Sequence, residues 1–175
     1  IWLRQTNSTF SFAITPLIAE SDGEGNKEKG RSVFQHGMIL MTILGISVYV
    51  MLLFLKPILY HLDQPEEVVV LAIPYFEIVA ISMIPLMIFQ GLKQFADGLS
   101  QTKYAMWATI LTNVVNVILN FALIYGLWIF PRLEIVGAAL GTLISRIVMV
   151  IFLFIVLLKK EEFSIYMRRL KLVEI

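Results

Sequence analysis

The stretch from Gly37 to Leu55, GMILMTILGISVYVMLLFL, carries no charge. As a helix rising 1.5 Å per residue it extends about 28 Å, close to the roughly 30 Å hydrocarbon thickness of a bilayer. A helix that is apolar all round needs either a large protein core or lipid, and a chain of 175 residues cannot supply the core. The stretch therefore fixes the class as a membrane protein. Composition agrees: 58% of residues are apolar, 15% are charged and the mean hydropathy is +0.82, against about 45–50% apolar in a soluble domain.

Other apolar runs follow, and each is long enough to span. The sequence predicts five helices, at roughly 1–19, 37–55, 68–90, 104–130 and 135–158, with a charged connection over 159–175. The expected fold class is an all-α polytopic membrane protein. Pro16 shortens the first segment, and Pro74 and Pro85 interrupt the third, where each removes a backbone hydrogen bond and predicts a bend. The chain opens on Ile1 without the basic start or small-residue cleavage site of a signal peptide, so a missing upstream segment is expected. Counting Lys and Arg in the loops places Lys27, Lys29, Arg31, Lys93, Lys103 and the tail on one side, and Arg4, Lys56 and Arg132 on the other. The richer side is expected to be cytoplasmic.

Several function classes drop out. A net charge of +1 offers no extended surface for nucleic acid, and the absence of cysteine excludes disulfides and thiolate sites. His36 and His61 fall on opposite predicted sides, so no transition-metal site is expected, and no cofactor is implied. Gly25 to Ser32, GNKEKGRS, imitates a phosphate-binding loop, but Arg31 stands where the lysine belongs and no strand leads into it. The better reading is a loop that caps the next helix near Asn26. Asn7-Ser8-Thr9 matches a glycosylation acceptor that arises often by chance. With no G-x-S-x-G turn and no converging triad, nothing indicates an enzyme.

The informative residues are polar ones inside the spans. Thr109, Asn113, Asn116 and Asn120 lie at i, i+4, i+7 and i+11, one stripe of a helix that must face protein or water. Interhelical hydrogen bonding and a hydrated cavity wall, with amide oxygens for a cation or substrate, are both open on spacing alone. Glu77 and Arg146 are charges at membrane depth, costing about 2.5–3.5 kcal/mol each even on lenient scales. They can pair with one another, line an aqueous path, or lie at an interface. Gly137 and Gly141 have the spacing of a close-packing seam.

Four pieces in order, ITPLIAESDGEGNKEKG, FQGLKQFADGLSQTKYAM, NVVNVILNFALIYG and IVGAALGTLISR, resemble the multidrug and toxic compound extrusion (MATE) transporters. The resemblance implies that the spans are the second to sixth helices of a six-helix lobe, with the first helix and the second lobe lying elsewhere. It implies an antiporter in the inner (plasma) membrane, moving small organic, often cationic compounds against Na+ or H+, with membrane lipid and the second lobe as partners. It also implies a cation site to which Asn116, Asn120 and Thr142 contribute, with Gln90 near the same polar zone; Gln90 and, by their place inside the spans, Asn113, Glu77 and Arg146 are candidates for the cavity or substrate path. Because Asn120 stands where some members have Asp, and an amide does not titrate, the ionising group is expected on the missing first helix. A lipid-linked precursor flippase and a non-transporting membrane assembly subunit are the alternatives.

Overall fold

The computed structural model describes residues 14–61, 64–126, 132–160, 163 and 166. Among them every regular element is helical: α1 (Ile14–Gly23), α2 (Lys27–Leu55) continued by a 3-10 segment (Lys56–His61), α3 (Glu66–Ile81), α4 (Met83–Gly98), α5 (Thr102–Tyr125) and α6 (Glu134–Lys159). Four stretches are long and apolar enough to cross a bilayer: Lys27–His61, Glu66–Gly98, Thr102–Tyr125 and Glu134–Lys159. The expected first span reaches the described residues only through α1, and the Asn7 triplet lies outside them.

Local chemistry sets the ends. At the α1–α2 turn the Asn26 N–H donates to the Ser21 carbonyl (2.9 Å) and the Gly25 N–H to that of Asp22 (3.0 Å). Gly25 takes the left-handed conformation this closure requires, with φ of +68°. Asn26 then caps α2, its Oδ1 accepting from the Lys29 N–H at 3.1 Å. The phosphate-loop lookalike is thus a helix–turn–helix junction. Because of that cap, α2 starts at Lys27, well before the charge-free run at Gly37: the charged first turns are helical too.

The span expected over 68–90 is two helices. Pro85 has no N–H for the carbonyl of Ile81, and its ring crowds that carbonyl, so α3 stops at Ile81 and α4 restarts after Ser82. Pro74 lies inside α3 without ending it. Glu77 is therefore three turns into a helix that starts at Glu66, not at the mouth of one that starts near Pro74.

α5 packs chiefly on α6, and α2 on α4; α1 lies against both α2 and α4, and α6 also meets α3 and α4. The faces explain the pairing. α6 buries Gly137, Gly141, Ser145, Met149, Leu153 and Leu157, one row at four-residue spacing along its length. α2 buries Gly30, Phe34, Gly37, Met41 and Gly45. A Cβ on Gly45 would lie 3.1 Å from Cβ of Met87, so the glycine permits the close approach of α2 to α4. The outward faces, including Ile39, Ile43, Phe54, Val117 and Ile151, expose apolar side chains as a lipid-facing surface does.

Candidate functional site

The asparagine stripe divides in two. Thr109 and Asn113 are exposed on this chain; Thr109 turns its hydroxyl back to the Ala105 carbonyl (2.9 Å), and Asn113 bonds no described residue. Within the described residues Asn113 therefore makes no interhelical hydrogen bond. Asn116 and Asn120, about two-thirds of the way along α5, turn into its seam with α6 and are half-buried.

There they form a directed chain. Asn120 Nδ2 donates to Asn116 Oδ1 (3.1 Å), Asn116 Nδ2 donates to Ser145 Oγ (3.1 Å), and Ser145 Oγ donates to the Thr142 carbonyl (2.9 Å). Thr142 Oγ1 donates to the Ala138 carbonyl at 3.0 Å. Each of the four side chains thus commits a donor to the protein. Acceptors are left over: Asn120 Oδ1 is buried without a partner, and Thr142 Oγ1 keeps its lone pairs. An unmatched carbonyl oxygen at membrane depth costs free energy, so its retention points to something that completes it.

The glycine seam allows this arrangement. A Cβ on Gly137 would stand 2.7 Å from the Leu123 carbonyl oxygen, and one on Gly141 would collide with Asn120 Oδ1. The Leu133 N–H donates to the same Leu123 carbonyl (2.9 Å), tying the end of α5 to the start of α6. Two helices this close let a carboxamide on one reach a hydroxyl on the other.

The charged candidates separate from this site and from each other. Arg146 follows Ser145 but projects away from α5: its Nη1 donates to Ser82 Oγ, at the break between α3 and α4, and lies 3.9 Å from Met83 Sδ. Ser82 Oγ donates in turn to the Val79 carbonyl (2.6 Å). Glu77 pairs with Lys56 at the far end of α2, so Glu77 and Arg146 do not pair. Gln90 is half-buried and hydrogen-bonds no described residue. The structure thus joins Asn116 and Asn120 to Ser145 and, through the Thr142 main-chain carbonyl alone, to Thr142, and leaves Asn113, Glu77, Gln90 and Arg146 outside that network.

Sequence reading missed Ser145, although it lies four residues after Gly141 in the row that includes Gly137. It also missed Gln94, a buried side chain whose Oε1 has no partner. Among the described residues no three His, Cys, Asp or Glu side chains gather to hold a metal. The site's own oxygens are neutral.

The MatE family model matches residues 7–122, a stretch that includes Asn116 and Asn120. A probable multidrug resistance protein NorM of Streptococcus pneumoniae is 34% identical over 151 residues, covering 86% of this chain and 33% of that protein. NorM relatives of Rhizobium meliloti and Bacillus anthracis are each 33% identical, covering 78% and 87% of the chain. The chain spans about a third of the length of these relatives. A solved structure described as the inward-facing conformation of a multidrug resistance MATE family transporter superposes with a TM-score of 0.80 at 27% identity, covering 90% of this chain and 36% of that one. By the family match over most of its length and this shared fold, the chain belongs to the MATE family.

Proposed function

We propose that the chain is a first-lobe fragment, the second to sixth helices, of a secondary active multidrug efflux antiporter of the inner (plasma) membrane, which exports small organic, often cationic compounds in exchange for Na+ or H+. The observation that carries the reading is the buried, unpartnered Oδ1 of Asn120 in a network where each side chain already gives one donor to the protein. That oxygen can take only a cation or a hydrogen-bond donor. Asn116, Asn120 and Thr142 supply the neutral part of it, as oxygen ligands suited to a hard cation.

Neutral oxygens alone do not offset the cost of a cation at membrane depth, so a carboxylate from outside the described residues completes the site. That group, not Asn120, carries the protonation chemistry. Coupling follows from differential affinity: an ion held better by one arrangement of the lobe shifts the population toward it, and drug binding in the other arrangement exchanges the two fluxes.

Replacing Asn120 or Asn116 by Ala is expected to abolish cation-driven export of a lipophilic cation from everted vesicles while membrane insertion persists. The cost in stability is small, about 0.6–2 kcal/mol for an interhelical hydrogen bond. Wild-type export by both variants sinks the site.

A further inference from the structure

Phe163 and Tyr166 follow α6 in a stretch whose charged composition reads as a solvated connection. Both are nevertheless buried, at 0% and 4% exposure. Phe163 stacks within 5.8 Å of the Phe95 ring of α4 and 6.0 Å of the Tyr104 ring of α5. The Tyr166 ring meets Phe95 edge-on at 5.9 Å, and its hydroxyl donates to Asp22 Oδ1 of α1 at 2.9 Å. From α2, Arg31 Nε donates to the Tyr166 carbonyl at 3.3 Å.

The seat is shaped for this ring. A Cβ on Gly30 would stand 2.7 Å from Tyr166 Cε1, so only glycine leaves the space. Two residues beyond α6 thus close against four other helices at the basic end of the bundle. A free tether has no reason to bury its aromatic residues or to match a carboxylate on one helix and a glycine and a guanidinium on another.

We infer that the segment after α6 is clasped to this lobe through Phe163 and Tyr166 and moves with it as one body. The functional consequence rests on the two-lobed reading proposed above. Alternating access moves rigid bodies about a few residues that absorb the change in φ and ψ. A connection held at Tyr166 puts that hinge beyond Tyr166, not at the end of α6. The lobe-to-lobe motion then leaves the junction of α1, α2, α4 and α5 unbroken throughout the cycle.

The test uses the intact transporter with cysteines introduced by Gly30→Cys and Tyr166→Cys; the 175 residues hold no cysteine of their own. A short bismaleimide is expected to cross-link the pair with equal yield with and without an ion gradient, and the linked protein is expected to export as well as protein treated with N-ethylmaleimide. Cross-linking that arrests export, or whose yield changes with the gradient, overturns the clasp; where the pair does not link, because Tyr166→Cys itself removes the ring, the exchange measurement decides. Hydrogen exchange on the unmodified protein gives a second measurement free of the substitutions. The Phe163 amide, which donates to the Lys160 carbonyl (3.1 Å), is expected to be protected in every state of the cycle; fast exchange in any of them counts against the inference. Lack of export in the parent protein overturns the transporter reading alone, since cross-link yield and amide protection still decide whether the clasp exists.

Discussion

Two junctions of the bundle are packed with comparable closeness and satisfied to different degrees. At the basic end Phe34, Phe95, Tyr104, Phe163 and Tyr166 interlock, with Phe34 and Phe95 ring centres 4.3 Å apart, and the buried Tyr166 hydroxyl has its carboxylate. Along α5 and α6 the approach is as close, because Gly137 and Gly141 permit it, yet Asn120 Oδ1 is left without a partner. On the function proposed above, the junction left open on its acceptor side keeps a place for a ligand. Burial alone does not distinguish them; the accounting of donors and acceptors does.

The comparison breaks most visibly at Phe95, which is fully buried among Phe34, Phe163 and Tyr166. Phe95→Ala removes the ring on which the others stack, and a large-to-small change in a core costs about 3–5 kcal/mol. Expression and thermal unfolding in detergent are expected to fall together, with export lost only because folded protein is lost. A normal melting temperature combined with absent export would instead place the aromatic cluster in the transport machinery and erase the contrast.

At the open junction the expected effect on stability is smaller and the effect on export larger. Gly141→Ala drives a methyl group into the Asn120 carboxamide. Either the amide swings out of the seam or the helices part, an overpacking cost of about 1–3 kcal/mol. Coupling-ion dependence of export is expected to shift more than the unfolding temperature does. Gly23→Ala, at the exposed end of α1 where a Cβ meets nothing within 4 Å, is the control. It is expected to leave both unchanged or to add up to about 1 kcal/mol of helix stability.

What the sequence disclosed follows the same division. The membrane class was legible in the apolar runs, and the stripe of Thr109, Asn113, Asn116 and Asn120 and the pair Gly137 and Gly141 in helical spacing, because period and hydropathy are local properties; only the family resemblance singled out Asn116 and Asn120. Two prolines in one span look alike in sequence. That Pro85 parts the helix and Pro74 does not depends on what the surroundings offer the freed carbonyls, and Ser82 and Arg146 meet at that break from positions 64 residues apart. Ser145 was hidden because a serine in a membrane helix is unremarkable until its partner is known. Phe163 and Tyr166 were hidden because their neighbours are charged; burial there is decided by α1, α2, α4 and α5, not by the segment's own composition.

The finest distinction between the junctions is titration, and it is confined to Tyr166. Burial first, then the hydrogen bond to Asp22 and its charge, push this phenol up from 10.0 to about 12. The groups facing it are Asp22 from α1 and the Arg31 guanidinium from α2, which bonds its carbonyl. A phenol whose pKa is higher folded than unfolded contributes stability that is complete below about pH 10 and lost as the pH rises toward about 12. Tyr166→Phe keeps the ring in its seat beside Gly30 and removes only the hydroxyl, a loss of about 0.5–1.5 kcal/mol at neutral pH by the usual worth of a hydrogen bond. Thermal unfolding of the two proteins side by side cancels the other tyrosines. Their difference is expected to be flat up to about pH 9 and to shrink between about 10 and 12. A difference independent of pH throughout that window means that the hydroxyl is not held by Asp22, and the clasp then rests on its rings alone.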